Sequence, residues 1–259
     1  AAIDLWISNE SSATNTYGDI NDWDVSEITD FSELFKNKTR FDSDISDWDV
    51  SNGTNFEAMF WRAFTFNQDI GEWDVSKGTN FKLMFSSAQE FDKDIGAWDV
   101  SNGRDFFYMF AGANDFNQDI GDWDVSSGTD FGGMFAFAYE FNQDISGWDV
   151  SNGTNFSKMF WTNRDFNQDL SSWDVARARD FSGMFSNTYF NQDIGNWDVS
   201  NGTNFQAMFD GANYFNQDIS MWDVSNGTNF SRMFAGHPFN PRISNWDVSN
   251  GIDFSEMFS

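Results

Sequence analysis

FNQDIGEWDVSKGTNFKLMF, residues 66–85, returns 25 residues later as FDKDIGAWDVSNGRDFFYMF, residues 91–110, and in variants to the end of the chain. Tryptophan is the clearest ruler. Trp23, Trp48, Trp73, Trp98, Trp123, Trp148, Trp173, Trp197, Trp222 and Trp246 are spaced by 25 residues six times, then by 24, 25 and 24. Both shortened steps lose their residue between a Met-Phe pair and the next Phe, which marks that segment as a loop. A period of this length is the signature of a repeat array, one quasi-linear domain rather than several globular ones. Residues 19–259 read as one solenoid of about ten repeats and residues 1–18 as an N-terminal capping segment.

Within each repeat, Ile-x-x-Trp-Asp-Val sets Trp and Val two apart, on one face of an extended segment, with Asp on the other. This predicts a short strand. The Ser-Asn-Gly that follows predicts a turn with positive φ at Gly. Asn or Asp then precedes Phe in all ten repeats, as Asn55 does Phe56, and suits a helix N-cap. Phe56, Met59, Phe60 and Ala63 fall at i, i+3, i+4 and i+7, one face of a short helix. The expected fold is a stack of parallel β/α coils with right-handed crossovers, one short strand and one short helix per repeat, about 45 Å long at strand spacing. Each coil supplies about seven large apolar side chains. At about 1.5–3 kcal/mol each, their burial alone explains the Trp, Phe and Met columns.

The chain has 259 residues, 14 basic and 41 acidic, for a net charge of −27. That argues against nucleic acid as a partner, which needs a basic footprint. There is no Cys, and therefore no disulfide framework or Cys-ligated zinc. No apolar run is long enough to span a membrane.

The phrase FNQDIxxWDVSxxTNFxxMFxxA resembles the repeat of BspA-like leucine-rich repeat proteins of bacterial surfaces, and the resemblance runs from about Asp19 to Phe258. It implies a leucine-rich-repeat-like solenoid, displayed on a cell surface or secreted, that binds a protein or glycan on another cell or surface in adhesion. Gly53 stands where the asparagine of a leucine-rich repeat would fall, so a conventional asparagine ladder is not expected.

With the core columns structural, function falls to the outward ones. Asp49, Ser51, Asp74, Ser76, Asp99, Ser101, Asp124, Ser126, Asp149, Ser151, Asp174, Asp198, Ser200, Asp223 and Ser225 form an acidic strip, the candidate ligand surface. Ten carboxylates about 4.8 Å apart repel by about 1 kcal/mol per neighbour in water and about 3.5 at an effective dielectric of 20. Three things could offset this: hydrogen bonds from each Asp to its own turn, a hard cation such as calcium held by the same column, or a cationic partner. A second Asp column runs from Asp19 to Asp218 and ends at Arg242. Thr54, Thr79, Thr129, Thr154, Thr203 and Thr228 form a column that raises ice binding as an alternative. No enzyme is expected: the only His is His237, and every coil offers the same carboxylates, so no acid/base pair is singled out. One repeat, WDVARARDF from Trp173 to Phe181, places Arg177 and Arg179 where Asn and Thr usually stand and suggests contact with a carboxylate strip.

At the N-terminus, Ile3 and Trp6 keep the Ile-x-x-Trp spacing and suggest an incomplete coil. At the other end Phe254, Met257 and Phe258 suggest an uncapped apolar edge able to drive end-to-end self-association.

Overall fold

A computed structural model describes residues 2–236 and 242–259; His237 lies outside them. The repeats do stack coil upon coil, each joined to the next by a parallel bridging pair, Asp30 to Asn55 through Asn229 to Asp253. The expected strand and helix of each repeat are both absent. The only α-helices among the described residues are α1, Ala2–Ser8, and α2, Glu10–Tyr17, followed by one 3-10 turn, Ile20–Asp22. No strand forms. The leucine-rich-repeat-like β/α coil is therefore overturned, and each coil is built from turns.

In the coil of residues 70–91, six turns close by a bond from residue i+3 to residue i: Trp73 to Ile70, Gly78 to Val75, Met84 to Phe81, Ser86 to Leu83, Ala88 to Phe85 and Phe91 to Ala88. The corners are apolar and point inward. Trp73, Val75, Phe81, Met84, Phe85 and Phe91 are all buried, and Asp74 between Trp and Val is exposed.

The Phe-x-x-Met-Phe-x-x-Ala segment reads as a helix because three overlapping four-residue turns, Met59 to Phe56, Trp61 to Ala58 and Ala63 to Phe60, reproduce helical spacing. Its backbone does something a helix cannot. The N–H groups of Phe56, Ala58, Phe60 and Arg62 donate to the carbonyls of Asn80, Lys82, Met84 and Ser86 in the next coil, at 2.8 Å each. Four such bonds recur at every junction. Donors at alternate residues require the chain to reverse locally, and two residues per coil take positive φ. Ala58, Leu83, Tyr108 and Lys158 are among fourteen non-glycine residues held between 53° and 62°, a region that costs roughly 1–2 kcal/mol per residue for an L side chain.

The Gly of Ser-Asn-Gly is needed for a different reason from the one expected. Gly53, Gly78, Gly103 and Gly128 do not have positive φ. A Cβ at any of them would overlap the ring of the Phe three residues on, Phe131 in the case of Gly128. Two coils lack this Gly, the first with Ile28 and a later one with Ala178. At Ala178 the Phe156–Phe181 centroids open to 6.3 Å, against 5.5 Å for Phe131–Phe156 and 5.6 Å for Phe181–Phe205. The methyl displaces the ring.

The core is a set of aromatic columns. Trp98, Trp123, Trp148 and Trp173 stack at 6.5 Å with planes within 3°. Within a coil the second and third Phe lie face to face, 3.8 Å apart for Phe135 and Phe141. A buried indole N–H needs an acceptor. Each Trp from Trp48 to Trp246 donates to the carbonyl of the Ile or Leu in the preceding coil, as Trp123 Nε1 does to Ile95 at 3.1 Å.

The N-terminal segment is two helices rather than an incomplete coil. It has no Asp between Trp6 and the position where Val would stand, so the turn that follows Trp elsewhere cannot form. Asn9 instead caps α2 by accepting from the Ser12 N–H. The pair sits on the first coil through Trp6, which donates to Ser43 Oγ at 2.9 Å and meets Trp23 edge-on at 5.8 Å.

Two expected outcomes test the packing. Trp123→Ala loses a buried aromatic and its indole bond and should cost about 3–5 kcal/mol in denaturant unfolding. Gly128→Ala should cost about 1–3 kcal/mol, whereas Ala178→Gly, where the stack has already opened, should change stability by less than about 1 kcal/mol. Equal effects at the two sites would show that ring overlap is not what selects Gly.

Candidate functional site: the exposed Asp/Ser strip

The strip is an external column, and one oxygen of each carboxylate is committed to the fold. Asp24 Oδ1 accepts the Ser26 N–H at 3.1 Å and the Ser26 hydroxyl at 2.7 Å. The same bond to the N–H two residues on recurs at Asp49, Asp74, Asp99, Asp124, Asp149, Asp174, Asp198, Asp223 and Asp247, all at 3.0 Å. Each is an Asx turn, a side chain standing in for a backbone acceptor. The carboxylates are exposed, and Ser51, Ser76, Ser101, Ser126, Ser151, Ser200 and Ser225 are half-buried beside them. The second carboxylate oxygen of each strip Asp has no hydrogen-bond partner among the described residues.

These bonds answer the repulsion. The Ser hydroxyl first and the Ser N–H second hold Asp24, Asp49, Asp74, Asp124, Asp149 and Asp223 below the usual carboxylate range. The neighbouring carboxylate pushes the other way more weakly, as Asp149 does on Asp124. The second Asp column does the same work: Asp44, Asp144, Asp169 and Asp218 each accept from the Ser two residues on and are likewise lowered.

The Asn or Asp before each first Phe, expected as an N-cap, makes a third Asx turn, as Asn55 does with the Glu57 N–H at 3.1 Å. The bond expected of the residue type is made without the helix. Here one member stands apart. Burial pushes the Asp130 carboxyl up, against the bond from Gly132 and with help from its neighbour Asp105.

The remaining outward columns are also ladders. Thr54, Thr79, Thr129, Thr154, Thr203 and Thr228 each donate a hydroxyl to the carbonyl one coil back, at 3.0–3.2 Å. Asn52, Asn102, Asn152, Asn201, Asn226 and Asn250 donate to the preceding coil in the same way. At two of the positions where that Asn is replaced, a cation reaches back to the Asn before it: Lys77 to Asn52 and Arg177 to Asn152, at 2.6 and 2.5 Å. Arg177 therefore meets an amide, not a carboxylate strip.

An Asx ladder exists where sequence reading did not look for it, in Phe-Asn-Gln-Asp. Asp42, Asn67, Asp92, Asn117, Asn142, Asn167 and Asn191 each accept the backbone N–H of the equivalent residue in the next coil. Gln68, Gln118, Gln143, Gln168 and Gln217 clamp the same residues from the following coil. The signal was in the sequence: an amide or Asp directly after a buried Phe, eight coils running.

Among the described residues no three acidic or His side chains converge to hold a metal ion. No described helix is long and apolar enough to cross a membrane.

A family model, DUF285, described as a Mycoplasma protein of unknown function, matches residues 7–119, 104–189 and 186–259. The chain belongs to this family. No curated protein matches it. The three DUF285 matches overlap and together cover residues 7–259.

The lowered carboxyls fix the sign of a pH effect. A depressed folded pKa gives stability that is complete above the unfolded value, about 3.9, and is lost as pH falls through the folded values. The melting temperature should thus be flat near neutrality and fall steeply below about pH 4. Asp130 has the opposite sign, since its folded state favours the protonated acid. Asp130→Asn keeps the Asx turn and should stabilise by up to about 1 kcal/mol at pH 7, with the gain vanishing on acidification. A gain that persists at low pH would show that charge is not its cause.

Proposed function

We propose that this DUF285 protein is a non-catalytic binding scaffold of a cell exterior, whose rigid coil stack presents the Asp/Ser strip to a cationic face of a protein or glycan-bearing surface. The observation that carries this reading is the free second oxygen of every strip carboxylate. The first oxygen is tied to its own turn, so the row is preorganised, and the outward oxygen can accept without disturbing the fold. A surface of net charge −27 steers cationic partners from a distance. The resemblance to BspA-like surface proteins points toward adhesion and toward an extracellular or surface location.

Calcium is the alternative occupant of the strip. It takes six to eight oxygens, to order of magnitude, and here each carboxylate turns to its own coil. End-to-end self-association has little support as a partner mode. The N–H groups of Phe254, Glu256 and Phe258 in the last coil donate to nothing among the described residues, while Phe254 and Phe258 are exposed. Two copies meeting there would set donors against donors, and the opposite end lies under α1 and α2.

Asn can hold an Asx turn as Asp does, which separates charge from structure. Asp124, Asp149 and Asp174, all changed to Asn, should leave the melting temperature within a few degrees. They should weaken binding to a lysine-rich peptide several-fold more than the same change at Asp119, Asp144 and Asp169 in the second column. Equal weakening by both triple variants would reduce the strip to bulk charge. A melting temperature that rises in millimolar calcium beyond a matched-salt control would favour the metal instead.

A further inference from the structure

The repeated columns are occupied by ladders, so a discriminating ligand site belongs where the coils differ. Three successive loops place unlike residues side by side: Tyr139 and Glu140, then Thr162, Arg164 and Asp165, then Tyr189. They line a notch of 530 Å³, within the range of small-ligand sites. The Tyr189 N–H donates to the Arg164 carbonyl at 3.0 Å and fixes two of the loops together.

Both tyrosines are exposed, Tyr139 by 43% and Tyr189 by 46%, yet both are braced. Phe137 meets Tyr139 edge-on at 6.5 Å and is itself packed on Trp161 at 4.7 Å. Tyr214, the next aromatic along, meets Tyr189 edge-on at 4.9 Å. Between the two tyrosines, the guanidinium of Arg164 has no hydrogen-bond or ion-pair partner among the described residues, although the chain is strongly acidic. Glu140 and Asp165 are exposed at its sides.

We propose that this notch binds a neutral linear oligosaccharide lying along the stack axis. Flat exposed rings with hydrogen-bonding edges suit the apolar C–H faces of sugar rings, because each ring buries area at little entropic cost. Coils repeat at about the spacing of parallel strands, roughly 4.8 Å, close to the advance of one pyranose in a linear chain. Tyr139 and Tyr189, two coils apart, then meet alternate sugars. Arg164 donates to hydroxyls of the sugar between them, and Glu140, Asp165 and Thr162 accept from or donate to its neighbours. Two carboxylates beside one guanidinium, on a chain of charge −27, select against an acidic sugar. The site is independent of the Asp/Ser strip.

Saturation-transfer difference NMR on the full chain tests this, with neutral hexose and N-acetylhexosamine oligomers of two to four units and uronic-acid oligomers of the same lengths. Neutral tri- and tetrasaccharides should bind with Kd near or below about 1 mM and more tightly than disaccharides. Tyr139→Ala and Tyr189→Ala, at exposed positions, should each weaken binding about tenfold. Tyr17→Ala on the N-terminal helix should not, nor should the triple Asp→Asn change in the strip. The proposal is overturned if no neutral oligomer binds, if only uronic-acid oligomers bind, or if the Tyr139 and Tyr189 variants bind as the parent does.

Discussion

Within the Phe-to-Ala segment, each coil points its N–H groups at alternate residues toward the next coil and the carbonyls between them toward the one before, while the Thr column ahead of the segment donates back, as Thr79 does to Thr54. That segment's one-way ladder is the constraint on which the rest depends. A strand in a parallel sheet exchanges donors and acceptors with both neighbours, and a helix closes its bonds on itself. Here the Phe-to-Ala segment does neither: Phe56, Ala58, Phe60 and Arg62 donate forward, and the i+3 to i turn bonds use the N–H groups left between them, such as Met59 to Phe56. Every backbone group is accounted for only if the chain reverses twice within the segment. The two positive-φ positions per coil follow from this, even where Leu83 or Lys158 occupies them. The strain is repeated at each coil and persists because the stack over-determines it.

A coil made of turns has no stability of its own, since tandem turns bury nothing alone. The stack supplies it through side-chain columns in register: indole N–H to carbonyl, Asn to carbonyl, Asx to backbone N–H, ring on ring. Each joins a coil only to its neighbours, so stability is a sum of nearest-neighbour junctions. A local insult should therefore stay local. The Ala178 coil is a natural instance: its Phe181 ring is pushed away from Phe156, and the spacing recovers at the next junction.

The facing of residues was legible in the sequence, and the backbone was not. Trp and Val inward with Asp outward, and Phe, Met and Phe inward, follow from spacing that any extended or turn-built segment shares. What spacing could not separate was a helix from three overlapping turns, because both bring residues i, i+3, i+4 and i+7 to one side. Only the positive φ at Ala58 and Arg62 distinguishes them, and Ala and Arg carry no mark of it. Gly128 was legible as special, but its role is room for Phe131 rather than freedom of φ. At the strip, the Asx bond of Asp74 to Ser76 was among the open readings. The ladder from Asp42 to Asn191 was missed because Phe-Asn-Gln-Asp sits beside a segment read as loop.

Ladders also decide which positions are free to serve a ligand. A side chain that must bond to its equivalent one coil away cannot vary without breaking a junction, so the periodic columns change little from coil to coil. Variation gathers at the positions between the apolar corners, which carry Trp61, Phe137 and Trp161 at one side of the turn segment and Tyr139, Arg164, Tyr189 and Tyr214 in the loops beyond it. Some of this variation is consumed locally, as when Lys158 sits 5.0 Å from the Trp161 ring and Lys36 sits 4.7 Å from Trp61. Arg164 is not consumed in this way. On the proposed readings, the regular strip and the irregular notch would offer two kinds of recognition on one frame. The strip would hold a partner by charge at many equivalent points, which gives attraction without register. The notch, formed by unlike residues of three neighbouring loops, would supply the register that the strip lacks.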